Sequence, residues 1–403
     1  MGFRDSVRKN TPKVELHSIM SLVAGGYKSG KTRLWKEITE LHYPNNPDAA
    51  LLIAFEPGYE TWELDNIIPV LEQGSNEEEW KVWEYFKKEI VPGLVQEAKD
   101  SNRITQLIGI DTADRCIDAA TAWILNDKNK KYATKFSSLQ EIGEKTNGAE
   151  NGWTLLYEEL KKQIDSLRNA GYGVMALAWT KEKETTLYDG KKYNSVELMM
   201  HNTGRKVFES QSHFTCCLFS EVKILNKEGT ELKENLKNKK NKEIGTKFHE
   251  TEVYMYFRPT QYISIAGGRF TTLPEKMLYS ADNYLDVFEK AILGQLKKTN
   301  KTIEELKIEE QKNKDEKIKN VENKNKIDNK KNNINVENNV EPEEKTVQEQ
   351  IKEIAKKIRA TAKQKSKEGI PMDRIETTVG KNLDFKTVEQ AQSILDKLEA
   401  LKK

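Results

Sequence analysis

The chain has 403 residues, a formal net charge of +2 and 32% charged residues. That length allows two domains, and the near-neutral balance gives no bulk reason for nucleic-acid or membrane binding, so any such surface has to be a local patch. Aromatics at 8%, with 7 tryptophans, favour a packed core over wholesale disorder.

Cys116, Cys216 and Cys217 make no metal-binding spacing and suit a reducing compartment. The first 18 residues are charged and carry no apolar core of a signal peptide. No apolar run approaches the length of a membrane span, so a cytoplasmic protein with no membrane partner is expected.

The first element is the apolar run "SIMSLVA", which reads as a strand buried on both faces. It breaks on Gly25 and Gly26 and turns through Tyr27, Lys28, Ser29 and Gly30 into Lys31 and Thr32. A helical pattern over residues 32–41 follows. The eight residues from Gly25 to Thr32 fit G-x-x-x-x-G-K-[ST], each for a mechanical reason. Glycines let the backbone curl so that successive amides face phosphate oxygens. Lys31 would bridge the β- and γ-phosphates, and Thr32 would place its hydroxyl on Mg2+. The helix start turns its positive end toward the anion.

"AALLIAFEPGYET" reads as a second strand, ending at Glu56 on a rigid Pro57-Gly58 turn. At the C-terminal edge of a parallel sheet, where ligands bind, such a carboxylate can polarise an attacking water. The bland reading is a solvated turn glutamate, and Glu60 is the fallback. Residues 77–99 follow as a helical segment expected to break at Pro92-Gly93. "QLIGIDT" is a third strand that ends in Asp111, the residue expected to hold Mg2+ through water. Thr112 is placed to bond that carboxylate or to sense the γ-phosphate.

Helical patterns over 114–125 and 152–169 lead to a fourth strand, "GVMALAWT", ending in Trp179 and Thr180. A polar residue here can sense the γ-phosphate and pass its state to the next loop, so Thr180 is the candidate sensor. "HFTCCLFSEVKI", "ETEVYMYFRP" and "QYISIAG" read as further strands of the same sheet, with a lysine-rich loop at 225–247. Strand and helix in alternation imply an α/β fold with a mostly parallel sheet covered on both sides.

The order of parts resembles the RecA-like P-loop ATPase core: cradle, glutamate after the next strand, magnesium aspartate, then a polar sensor strand. More closely, "GWTLLYEELKKQIDSLRNAGYGVMALAWTKEKE" and "AGGRFTTLPEKML" resemble the phage-encoded RecA-like ATPases described as AAA-family nucleotide-binding or recombination proteins. The resemblance covers roughly residues 20–292. It implies ATP and Mg2+ as cofactors, with Glu56, Lys31 and Asp111 in catalysis. It also implies a homo-oligomeric ring or filament and single-stranded DNA as the partner. The chain departs from the pattern at the sensor, where many relatives carry histidine or glutamine.

On that resemblance, residues 126–151 and 181–206 are the candidate DNA loops. Their lysines would follow phosphates, while Tyr132, Phe136, Tyr188 and Tyr193 would stack on bases. Arg269, in the glycine-loosened "AGGRFTTLP", is the candidate arginine finger for a neighbour's γ-phosphate. The 5 histidines have no metal spacing and read as ordinary.

The core is expected over residues 1–295. Residues 296–345 are Lys, Glu and Asn with few aliphatics, and read as a disordered linker. Residues 346–403 recover helical periodicity through Ile351, Ile354, Ile358, Ile394, Leu395, Leu398 and Leu401. A small helical bundle is expected there, with a single-strand-binding protein, a recombinase or a second copy as its partner. The leading expectation is an ATPase acting on single-stranded DNA in phage recombination, annealing or replication. The alternative is a nucleotide-gated loader or regulator with little hydrolysis. A small-molecule phosphotransferase is disfavoured, because no arginine-rich lid is evident.

Overall fold

The computed structural model describes residues 12–74, 78–100, 103–225, 249–296, 302–308 and 388–400, together with isolated positions outside these stretches. The chain divides into two compact units, Met1–Lys319 and Asn320–Lys403.

The first unit begins with β1 (Met20–Gly25), every residue of which is buried, as the unbroken apolar run requires of a strand covered on both faces. After the glycine turn comes α1 (Lys31–His42), which buries Leu34, Trp35 and Ile38 along one stripe. β2 (Ala50–Ala54) and β3 (Ile67–Pro69) follow.

The expected break in the 77–99 helix takes a different form. α2 (Trp80–Tyr85) passes through a π-helical turn at Phe86–Ile90 into α3 (Val91–Glu97), which carries Pro92 at its start. Proline has no N–H to give the preceding turn, and the wider turn upstream absorbs the mismatch without ending the segment.

Next come β4 (Leu107–Asp111), α4 (Ala113–Tyr132), α5 (Leu139–Lys145) and α6 (Gly152–Asn169). Thr112 and Asn151 cap the first and last of these helices through side-chain oxygens. β5 (Gly173–Thr186) and β6 (Lys192–Leu198) form a hairpin, and α7 (Asn202–Phe208) returns the chain to β7 (Phe214–Ile224). β8 (His249–Tyr256), β9 (Gly267–Gly268), β10 (Lys276–Leu278) and α8 (Ala281–Gln295) complete the series.

The strands run β10-β8-β7-β1-β5-β4-β2-β3, with β6 on β5 and β9 on β7. Pairs from β7 through to β3 are parallel, whereas β8 and β10 are antiparallel. This is the expected α/β architecture with a mostly parallel sheet. The cradle strand β1 and the aspartate strand β4 are not neighbours, because β5 lies between them.

Two apolar clusters cover the sheet faces. Met20, Leu22, Ile108, Ile110, Val174 and Ala176 lie in one, with α4 and α6. Val23, Leu107, Met175 and Leu177 lie in the other, with α1 and α8. Alternation along each strand thus assigns odd and even residues to opposite faces.

The compact unit extends past residue 295. Ile303 is buried, Leu306 joins the second cluster, and Glu310 accepts hydrogen bonds from the backbone of Val14 and the hydroxyl of Ser18. Two aliphatics one turn apart suffice to fasten this otherwise charged stretch. Most of the expected linker lies outside the described residues, as do 232–248 of the lysine-rich loop. In the second unit, α9 (Val388–Glu399) buries Leu395 and Leu398 against Ile358 and Ile370, a helical packing of the expected kind. Ile351 and Leu401 lie outside the described residues.

Candidate functional site

β1 ends at Gly25, in register with Trp179 of β5 on one side and Leu218 of β7 on the other. Gly30 adopts a left-handed backbone, φ 93°, which an L side chain rarely takes. The space at Gly30 is also closed, because an added Cβ would meet the hydroxyl and ring of Tyr279 at 3.2–3.4 Å. The Tyr279 hydroxyl donates to the Gly30 carbonyl at 3.1 Å. Tyr279 is 249 residues away in sequence, and no local signal points to it.

Lys31 is 6% exposed and folds back on the loop, its Nζ donating to the Gly26 carbonyl at 2.9 Å and to Gly25 at 3.2 Å. Burial lowers its pKa, against the opposing pull of Asp111, Glu56 and Asp114. Thr32 Oγ1 donates to Asp111 Oδ2 at 2.6 Å. The strand ends are drawn together as well, since the backbone N–H groups of Phe55 and Glu56 both donate to the Asp111 carbonyl, at 2.6 and 3.2 Å. Glu56 Oε2 accepts from Thr112 Oγ1 at 3.3 Å. Thr112 therefore bonds Glu56, and not the Asp111 carboxylate as one sequence reading has it.

Cradle, Asp111 and Glu56 thus converge at one sheet edge. Gly58 sits among them, where a Cβ would lie 3.3 Å from Thr32 Oγ1, 3.7 Å from Asp111 Oδ2 and 3.8 Å from Glu56 Oε1.

The electrostatics are those of a site built for charge. Burial pushes Asp111 up to about 7 and Asp114 up to about 6, while hydrogen bonds and Lys31 oppose it. Glu56 is raised by burial too, with Lys31, Thr112, Arg115 and Trp179 pulling the other way. Asp111 is fully buried, and among the described residues its Oδ1 has no hydrogen-bond partner, nor has the buried Ser29 Oγ in the cradle. A buried carboxylate oxygen without a donor is costly. Beside the Thr32 hydroxyl it makes an all-oxygen set that fits a hard divalent cation such as Mg2+.

Thr180 does not join this group. Strand alternation puts it on the sheet face of Val174, Ala176 and Ala178, where it pairs with Leu198 of β6. Trp179 shares the face of Asp111, and its indole stands 4.9 Å from the ring of Tyr27, centroid to centroid. The candidate sensor position is thus occupied by Trp179, one residue earlier. Period-2 alternation carried the signal for this, but only a known neighbour says which parity faces the site.

Arg269 follows β9, which pairs with Phe214 and Thr215 at the start of β7. It lies at the sheet edge opposite its own cradle, with Nη2 donating to the Ser210 carbonyl at 3.1 Å.

Of the candidate DNA loops, 126–151 is largely helical, and Phe136 is 3% exposed, so its ring belongs to the core. Lys128 and Lys131 both pair with Glu150. The second loop is the β5–β6 arm, with Tyr188 and Tyr193 exposed. Its Lys183, Lys191 and Lys192 pair with Glu197, Asp189 and Glu184.

At the other end of α1, Glu15, His17 and His42 gather with their potential ligand atoms within 4.8 Å of one another. Sequence spacing did not show this grouping, since the fold brings His42 back beside the turn that precedes β1.

A family model described as an AAA domain (AAA_24) matches residues 17–261. The chain belongs to this AAA domain family. The match places the AAA domain protein among P-loop nucleotide-binding proteins, and it spans the cradle, Glu56, Asp111 and the β5–β6 arm. Arg269 falls outside the matched residues. A comparison with curated proteins finds no match. Among the described residues, no helix is long and apolar enough to cross a membrane.

Proposed function

We propose that this protein binds ATP with Mg2+ and hydrolyses it. The observation that carries the reading is the 2.6 Å bond between Thr32 Oγ1 and Asp111 Oδ2, beneath a glycine loop and beside Glu56. Residues 79 positions apart meet there in the pair that a magnesium-nucleotide site needs.

Thr32 and Asp111 would hold Mg2+, which when bound would supply charge neutralisation to the phosphates. The amides of Gly26 to Thr32 and the Lys31 ammonium hold the triphosphate. Glu56 takes a proton from the attacking water as its oxygen bonds to the γ-phosphorus, and the bond to the β-bridging oxygen breaks to leave ADP and phosphate. Thr112 holds the Glu56 carboxylate in place.

The finer reading is a homo-oligomeric protein of phage or prophage origin that acts on single-stranded DNA in recombination, annealing or replication. Its support is the resemblance of the core and the exposed tyrosines and lysines of the β5–β6 arm. In an oligomer, Arg269, placed away from its own cradle, is free to serve a neighbour. The small C-terminal unit would then dock a single-strand-binding protein, a recombinase or a second copy.

The second reading, a nucleotide-gated module, is favoured by the charge pairing on that arm, which leaves few unpaired cations for phosphates. ATPase assays without DNA, with single-stranded DNA and with duplex separate the two. Turnover indifferent to single strands, with no binding at low salt, removes the DNA half. In the same series, Lys31→Ala is expected to abolish nucleotide binding with the circular dichroism spectrum unchanged. Retained affinity in a fluorescent-nucleotide titration overturns the cradle assignment.

A further inference from the structure

Tyr279 reaches the cradle from the last strand of the sheet, and its surroundings leave it little freedom. It follows β10, whose Leu278 pairs with Tyr254 of β8. Its own backbone N–H donates to the Val253 carbonyl at 3.0 Å. Ser280, next in the chain, caps α8 by accepting from the Asn283 N–H. The ring lies against Gly30, and the Arg33 guanidinium, bonded to Glu37 at 2.6 Å, stands 5.5 Å from the ring centroid.

The Gly30 carbonyl accepts two hydrogen bonds, from the Leu34 N–H at 2.8 Å and from the Tyr279 hydroxyl at 3.1 Å. The first is the opening bond of α1, which any α-helix makes. The second takes the carbonyl's other lone pair, and its effect falls on the far end of the same peptide group. The Gly30–Lys31 peptide is trans, so its N–H points away from its carbonyl, and holding one holds the other. That N–H is the first of α1, and the helix offers it no acceptor. Two donors on one carbonyl also polarise the peptide, which makes its N–H a stronger donor to an anion.

We propose that Tyr279 is a positioning residue for phosphate binding, holding the Gly30–Lys31 peptide so that the Lys31 N–H faces the triphosphate. The inference rests on the cradle reading above and adds to it a residue from outside the matched AAA domain. Gly30 then serves twice, since its positive φ turns the chain and its bare Cα admits the tyrosine ring.

The test uses the full chain and compares Tyr279→Phe with wild type. Phenylalanine keeps the ring against Gly30 and removes the hydroxyl alone. The amide contact serves bound substrate and transition state alike. The KM for ATP should therefore rise about three- to tenfold, with kcat within about twofold of wild type. Fluorescent-nucleotide affinity should fall by the same factor. So should the affinity for inorganic pyrophosphate, measured by displacement of that nucleotide, because the contact is to phosphate and not to the nucleoside. The melting temperature should hold within about 3 °C. Unchanged affinity in Tyr279→Phe overturns the inference, and a lowered melting temperature beside it marks a merely structural role. A loss for ATP without one for pyrophosphate also overturns it, since the hydroxyl would then act on the nucleoside. A wild-type protein that binds neither ATP nor pyrophosphate removes the cradle reading and this inference with it. Wild-type binding with an indifferent Tyr279→Phe removes this inference alone.

Discussion

Gly58 offers the sharpest test of the site, because an added methyl there meets Thr32 and Asp111, the pair proposed to hold the cation, before any other group. It lies in the short turn Pro57–Tyr59 after β2 and is not among the glycines with a left-handed backbone, so alanine fits its conformation. A Cβ at Gly58 would stand 3.3 Å from Thr32 Oγ1, inside ordinary carbon–oxygen contact. Relieving that contact pushes the hydroxyl by about 0.2 Å, since comfortable separations begin near 3.5 Å.

Asp111 Oδ2, the oxygen that Thr32 now meets at 2.6 Å, would stay where it is, fixed on β4. Mg2+ holds its ligands near 2.0–2.1 Å within a margin of about 0.2 Å, all of which such a shift consumes. Gly58→Ala should therefore cost roughly tenfold in Mg2+ affinity, or about 1.4 kcal/mol.

The assay is a magnesium titration of fluorescent-nucleotide binding and of phosphate release, repeated in EDTA, with a thermal melt as control. The magnesium midpoint should move up about tenfold, while affinity in EDTA and the melting temperature hold. An unmoved midpoint, or an equal loss of affinity in EDTA, refutes the placing of the cation between Thr32 and Asp111.

Three further outcomes are expected. Glu56→Gln should lower kcat by about 10²–10⁴-fold with nucleotide affinity retained, as for a lost general base, read from steady-state phosphate release; unchanged turnover would favour the nucleotide-gated reading. Gly109→Ala should destabilise the first unit, because the new Cβ meets Leu52 Cδ1 at 2.8 Å and the Trp35 ring at 2.9 Å. A cost of about 1–3 kcal/mol is expected, seen as a lower urea midpoint with the slope unchanged.

The third concerns pH. Burial, with Lys307 nearby, lowers His42 to about 4 from 6.5, in spite of Glu15 at 3.9 Å. The folded state holds this imidazole neutral where the unfolded chain would protonate it. Stability should then be full above pH 6.5 and fall as pH drops toward about 4. The full loss is on the order of 3 kcal/mol. His42→Gln should flatten that limb in melts taken across the range, and an unaltered acid limb would show that His42 is not its source.

Much of the site was legible before any fold was known, and the reason is locality. A phosphate cradle is made by consecutive residues, so Gly25 to Thr32 with a strand before and a helix after specify their own geometry. Asp111 and Glu56 were legible because parallel strands end at a common edge, and each terminates an apolar run there. Composition likewise marked the change from a packed core to the charged stretch after residue 295. It did not show that Ile303 and Leu306 would fasten part of that stretch.

What the sequence alone determined, then, was the set of strand ends and the loop chemistry they carry. Only the tertiary structure decided how the ends meet. Whether residue 179 or 180 faces the site depends on which side of β5 the neighbouring strands and helices cover, and alternation leaves both choices open. Tyr279 against Gly30, His42 beside Glu15, Phe136 in the core and Arg269 at the far edge are likewise products of long-range packing. Hydrogen bonding along one strand or helix encodes none of these distances; they follow from the order in which distant strands pair and the faces on which the helices close.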